Sequence, residues 1–226
     1  MRLKDFSKLY WAFVIFHLAI IYKPDPALFY ISKPLVLFSL LLFFISKIEN
    51  LKNSTKWWVA SALLFSLLGD VFLMQLNKDY FLAGMASFGL AHICYAIFFN
   101  RRRQGKMHIP SLIINIIFVG LLIFSLNRCI EIPSDMFVPI NIYAALIGIN
   151  LLSSVQFNFT NRTKNYWLPL GVLLFVLSDY LIAINRFKGL NENFEYLIFA
   201  TYAAAQFLII LSVLKHFKLV DDKISV

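Results

Sequence analysis

Two carboxylates, Asp70 in the run LLFSLLGDVFLM and Asp179 in the run LLFVLSDYLIA, lie inside apolar stretches long enough to cross a bilayer. A charge at that depth costs roughly 2.5–3.5 kcal/mol even on the lenient insertion scale, so an intramembrane acid marks a functional site by default. The tripeptides Leu68-Gly69-Asp70 and Leu177-Ser178-Asp179 each place a small residue before the acid, which points to one site built from two related halves.

The bilayer is the solvent this chain is written for. Of its 226 residues, 60% are hydrophobic and 15% charged, and the mean hydropathy is +0.74. Apolar runs near the length that crosses about 30 Å as a helix number eight, at roughly 6–22, 28–46, 57–74, 80–99, 109–126, 136–155, 167–185 and 194–214. Helices are required, because hydrocarbon forces each segment to satisfy its own backbone and the runs lack the alternation of a barrel strand. The expectation is all-α: a polytopic bundle of eight transmembrane helices forming a single domain over 1–226.

A net charge of +9 invites a nucleic-acid reading, but its distribution argues for topology instead. With eight spans, the termini and loops 2–3, 4–5 and 6–7 share one side. That side carries Arg2, Lys4, Lys8, Lys47, Lys52, Lys56, Arg101, Arg102, Arg103, Lys106, Arg162, Lys164, Lys215, Lys218 and Lys223, fifteen of the 21 Lys and Arg. The positive-inside rule then places both termini in the cytoplasm, with the chain multi-pass in a bacterial inner membrane. Arg101-Arg102-Arg103 is a topology signal first and an anionic-lipid contact second. The basic start MRLKDFSK before an apolar run has the look of a secretory signal, yet no small-residue cleavage site follows, so it is expected to remain as the first helix. Cys94 in the fourth span and Cys129 in the loop after the fifth have no metal or redox spacing and read as structural.

Asp70 in the third span and Asp179 in the seventh lie four helices apart, in helices running the same way through the membrane. A 4+4 parallel repeat has this property. Each acid falls 12 or 13 residues from the cytoplasmic start of its span, at about 1.5 Å per residue, slightly beyond the midplane. Lys33, His92, Tyr143, Tyr202 and Gln206 enter from the opposite face and converge on the same outer half. Each has a plainer reading: Tyr143 and Tyr202 as packing or interfacial aromatics, Lys33 as a snorkelling side chain, Gln206 as interhelical glue, His92 as a satisfied buried histidine.

The residues together resemble a known family. Lys33-Pro34-Leu35 opens the second helix and Gly69-Asp70 lies in the third. Phe81, Gly84, Phe88, His92 and Tyr95 mark the fourth, and Tyr143 the sixth. Gly171, Phe175 and Ser178-Asp179 follow in the seventh, with Asn185-Arg186-Phe187 after them, and Tyr202 and Gln206 in the eighth. Their order and spacing resemble the YhhN/TMEM86 family across nearly the whole chain. That resemblance implies eight helices and a lysoplasmalogenase activity, hydrolysis of the vinyl ether bond of lysoplasmalogens to a fatty aldehyde and glycerophosphocholine or glycerophosphoethanolamine. It implies a lysophospholipid substrate within the lipid bilayer and no nucleic-acid partner.

The chemistry suits the residues on separate grounds. Protonating the alkene carbon of a vinyl ether gives an oxocarbenium-like cation that water captures, which needs an acid and an anion. A pair of buried carboxylates supplies both, as in glycoside hydrolysis. Asp70 and Asp179 are therefore the candidate catalytic residues. Lys33, His92, Tyr143, Arg186, Tyr202 and Gln206 are the candidate substrate-binding set, with Lys33 or Arg186 holding the phosphate. No cofactor and no metal is called for: of four histidines only His17 and His92 lie inside spans, which puts a three-histidine zinc site out of reach and leaves a metal held by Asp70, Asp179 and His92 as the lesser reading. The contending class is a proton-coupled transporter or lipid-binding membrane protein using the same acids.

Overall fold

The computed structural model describes residues 1–75, 77–161, 165–189 and 193–219. Three of the fifteen charges in the topology argument, Arg162, Lys164 and Lys223, lie outside the described residues. The described chain folds into α1 (Leu3–Tyr22), α2 (Pro26–Ile48), α3 (Lys56–Phe72), α4 (Lys78–Arg102), α5 (Ile109–Cys129), α6 (Ser134–Thr160), α7 (Trp167–Lys188) and α8 (Asn193–His216). These are the eight expected helices, and seven are long and apolar enough to cross a membrane.

Local chemistry sets several helix ends. Asp25 accepts a hydrogen bond from the Leu28 amide at 3.1 Å, with Pro26 behind it, and starts α2. Asn77 accepts from the Tyr80 amide at 2.9 Å and starts α4. Each side chain satisfies one of the amides that a helix N-terminus leaves unpaired. At the end of α7, Gly189 turns the chain in the left-handed conformation at φ 61°, which glycine adopts without steric cost. Cys129, expected in a loop, is instead the last residue of α5.

The eighth helix, α3, is the short one. It stops at Phe72, and Leu73, Met74 and Gln75 continue without helical structure. Beside it α4 runs on past that level, because Gly84, six residues into α4, packs against Leu73. The non-helical segment therefore climbs alongside the first turns of α4 and forms a wall near the end of the bundle opposite the N-terminus.

The broadest helix contacts are α3 with α4 and α7 with α8, two pairs related by a shift of four helices. The α1/α2 and α5/α6 contacts correspond in the same way. Next in extent is α4 against α6, and α8 closes the other side against α1 and α2, while α5 sits at the edge on α6 with a marginal contact to α7. At the centre, the Phe88 ring stands edge-on to Phe175 and Tyr202, with centroids at 6.2 Å and 5.8 Å. Such tilted pairs are the favoured aromatic geometry.

Candidate active site

Both acids are buried where the sequence places them, Asp70 near the end of α3 and Asp179 in α7, 3% and 4% exposed. The small residues before them have separate jobs. A Cβ on Gly69 would sit 2.6 Å from the Phe88 ring, so only glycine lets that ring lie against α3. Ser178 donates to the Ile198 carbonyl at 3.2 Å and ties α7 to α8.

Each carboxylate is bonded by a helix of the other half. The Tyr202 hydroxyl of α8 donates to Asp70 Oδ2 at 2.9 Å. Asp179 Oδ2 lies 2.9 Å from Nε2 of His92 in α4. Behind His92, the Asn150 amide of α6 is 2.9 Å from Nδ1. With Asn150 Nδ2 donating to Nδ1, the proton of a neutral imidazole sits on Nε2 and points at Asp179. The Tyr143 ring of α6 packs edge-on against the His92 ring, with centroids 5.9 Å apart.

Two adjoining chambers take up the end of the bundle away from the N-terminus. The larger, about 430 Å³, has Asp70 and Tyr202 in its wall together with Lys33, Asn185, Arg186 and Glu195. The smaller, about 40 Å³, is apolar, lined by residues such as Met85, Leu126 and Ile140, with Asp179, Tyr143 and Tyr180 as its residues with polar groups. Leu73, Phe81, Phe88 and Ile182 line both and form the partition. The pattern is a polar compartment with Asp70 in its wall beside an apolar one with Asp179 in its wall.

The proposed binding residues divide. Lys33 is half-buried in the polar chamber, its ammonium 6.0 Å from the Phe29 ring centroid. Arg186 is exposed at its rim, 5.1 Å from the Phe81 ring. Tyr202 and Tyr143 each face an acid. His92, wholly buried, lines neither chamber and touches Asp179 from behind. Gln206 also lines neither. It accepts from Tyr95 at 2.8 Å and donates to Ser66 at 3.1 Å, joining α4, α8 and α3. Among the described residues, no three His, Cys, Asp or Glu side chains are placed to hold a metal ion.

Three polar residues escaped the sequence reading as site members. Asn150 lies seven residues beyond Tyr143, on the same stripe of α6, and a buried amide in an apolar run was the available signal. Asn185 was noted only as part of a motif. Glu195, an acid in the first turn of α8, carried no signal that set it apart.

Eight helices, seven of them long enough to span, with two buried carboxylates between a polar and an apolar chamber define a polytopic membrane protein. Residues 28–213 match the YhhN family, and the chain belongs to it. Among curated proteins it is similar to lysoplasmalogenase TMEM86A of Bos taurus, 30% identical over 164 residues, 71% of this chain and 66% of that protein. TMEM86A of Homo sapiens is 28% identical over 66% of this chain and 62% of its own length. A lysoplasmalogenase of Mycobacterium bovis is 26% identical over 67% of this chain and 58% of its own. The match thus spans less than two thirds of these relatives' length. No solved structure matches the chain significantly.

Proposed function

We propose that this protein is a membrane-embedded hydrolase that cleaves the vinyl ether bond of lysoplasmalogens, releasing a fatty aldehyde and a glycerophosphodiester. The observation that carries the reading is the junction of the chambers. A single-chain lipid has a phosphate at one end, hydrocarbon at the other and the vinyl ether between them. The cavity pair has Lys33, Arg186 and Asp70 in the wall of one chamber and Asp179 in the apolar wall of the other. Family membership and the names of the relatives support the same substrate class.

Hydrogen bonding divides the roles. Asp179 receives His92 and is the carboxylate that faces the developing cation. Asp70 receives Tyr202 on Oδ2, which leaves its other oxygen to carry the proton. Asp70 gives that proton to the alkene carbon away from the ether oxygen, and positive charge spreads over the other carbon and the oxygen. Asp179 stabilises this charge inside a low-dielectric site, where a fixed carboxylate acts more strongly than in water. Water from the polar chamber attacks the cationic carbon and returns a proton to Asp70. The resulting hemiacetal breaks its carbon–oxygen bond to give aldehyde and alcohol, and both carboxyls end as they began.

Purified protein incubated with a lysoplasmalogen tests the reading directly. Aldehyde release that disappears in Asp70→Asn and Asp179→Asn supports it. Intact lipid in the presence of folded wild-type protein refutes it.

A further inference from the structure

The apolar chamber beside Asp179 is far smaller than the hydrocarbon a lipid brings to it. At about 40 Å³ it has room for no more than a few water-sized groups. The tail of a membrane lipid crosses one leaflet, roughly half of a hydrocarbon core about 30 Å thick. The larger chamber does not take the remainder, because Lys33, Asp70, Arg186 and Glu195 line it and hydrocarbon set against them would desolvate charges without pairing them. Most of the tail therefore lies outside both chambers. We propose that the groove between α5 and α7, open to the bilayer, is the binding site for the hydrocarbon tail of a single-chain lipid, an inference that rests on the lysolipid reading above.

The contacts of α5 single out this wall. Towards α6 the helix is tied firmly: the Gln156 side chain accepts from the His108 amide at 2.8 Å and donates to the His108 carbonyl at 2.9 Å and the Ser111 hydroxyl at 3.0 Å. Further along, Gly148 lets α6 close on Val119, where a Cβ would sit 2.6 Å from the side chain. Towards α7 the contact is marginal. Among the described residues one side-chain hydrogen bond joins the two helices, between the Ser125 and Tyr180 hydroxyls at 3.3 Å, longer than the about 2.5–3.0 Å usual for such a pair. Leu122 and Leu126 of α5 and Tyr180 and Ala183 of α7 line the apolar chamber, so this weakly held seam is part of its wall.

Away from that bond, toward the starts of the two helices, the seam is open. Ile114, Phe118 and Leu121 precede Ser125 by eleven, seven and four residues and share its face of α5. Leu173 and Leu177 precede Tyr180 by seven and three and share its face of α7. All five are exposed, although helices packed along this line would bury them. Two apolar stripes that face each other and stay uncovered make a groove. Eleven residues of helix rise roughly 16 Å, close to the depth of one leaflet. Both helices start at the end of the bundle that carries the termini, so the groove leads inward from the level of Tyr180, the neighbour of Asp179. A tail lying in it brings its first carbons to the apolar chamber and keeps the rest in hydrocarbon.

Crosslinking with a lipid that cannot be cleaved tests the groove apart from the hydrolase reading. A saturated alkyl-ether lysophospholipid with a diazirine near the end of its tail is irradiated with the full chain in nanodiscs, with and without excess unlabelled lysolipid, and the labelled peptides are mapped. The label that the competitor removes should fall on the groove stretches of α5 and α7, around Phe118 and Leu173. Leu121→Trp fills the groove and should weaken binding of the same lipid at least ~5-fold, the low end for an overpacked contact. Ile116→Trp, nine residues before Ser125 and exposed on the opposite face of α5, should leave binding unchanged. Competable label confined to other helices, groove label that the competitor does not reduce, or equal binding by the two folded Trp variants overturns the inference even where aldehyde is released from lysoplasmalogen. Competable groove label and weakened Leu121→Trp binding with no aldehyde release leave the inference standing and remove the hydrolase reading.

Discussion

Asp70 on α3 receives its hydrogen bond from Tyr202 on α8, at 2.9 Å, although the helix that α3 packs against most broadly is α4. Asp179 on α7 makes the reciprocal choice and pairs with His92 of α4, although its broadest neighbour is α8. Moving each residue of the first pair on by four helices turns α3–α8 into α7–α4, so the two bonds exchange under the relation that links α3/α4 with α7/α8. A 4+4 parallel repeat gives this arrangement. Its physical consequence is that neither half can complete a carboxylate site alone.

The two acids act on one cation in one step, so their loss should not multiply. Asp70→Asn and Asp179→Asn preserve size and hydrogen bonding, and each is expected to lower turnover of lysoplasmalogen by at least ~10²-fold, the low end for general acid catalysis. The double variant should be little worse than the poorer single one, as for residues that work as a unit. Kinetics of all three variants, with elution as a single species as the check on folding, decide the point. Near wild-type rates in both single variants refute the assignment.

Phe88 makes the site sensitive to a methyl group. Gly69→Ala would put a carbon 2.6 Å from a ring that Phe175 and Tyr202 already box in, and Tyr202 carries the bond to Asp70. The substitution should cost about 1–3 kcal/mol as an overpacked core does, and lower kcat through the displaced Tyr202. Gly120→Ala has nothing within 4 Å of the new carbon, and should leave stability within about 1 kcal/mol and activity unchanged. Thermal unfolding in one detergent and aldehyde release compare the two.

The eight helices and both acids were legible in the sequence because the hydrophobic length of a helix and the cost of a carboxylate inside it are local properties. His92 and Tyr202 were legible as polar groups at the right level, but which acid each would serve was not, since that depends on how α4 and α8 cross the molecule. Gln206 shows the limit of level as a guide: it has the right depth and points to Tyr95 and Ser66 instead of a chamber. The early end of α3 at Phe72 was hidden because Leu73 and Met74 are as apolar as the helix before them.

That difference between Lys33 and Gln206 is measurable. Lys33 lines the polar chamber, so Lys33→Met should raise KM with little change in kcat, because a phosphate far from the reacting carbon is held alike in ground and transition states. Gln206→Leu strands the Tyr95 hydroxyl and the Ser66 hydroxyl, and should lower stability by about 1–3 kcal/mol while leaving KM in place. A raised KM in Gln206→Leu at unchanged stability would return it to the substrate-binding set.

Orientation in the membrane supplies the last prediction. Both chambers lie at the end of the bundle reached by the last turns of α1 and α7 and the first turns of α2 and α8. The twelve described charges among the fifteen that share a side with the termini belong to the opposite end. The positive-inside rule then predicts cytoplasmic termini and a site that faces the outer half of the bilayer. A fluorescent-protein fusion at the C-terminus should glow, since it folds in the cytoplasm. An alkaline phosphatase fusion after Lys188 should be active, since that enzyme needs export. An inactive phosphatase at Lys188, with a fluorescent reporter active in its place, would put both ends of α7 on one side of the membrane and reject the eight-span topology.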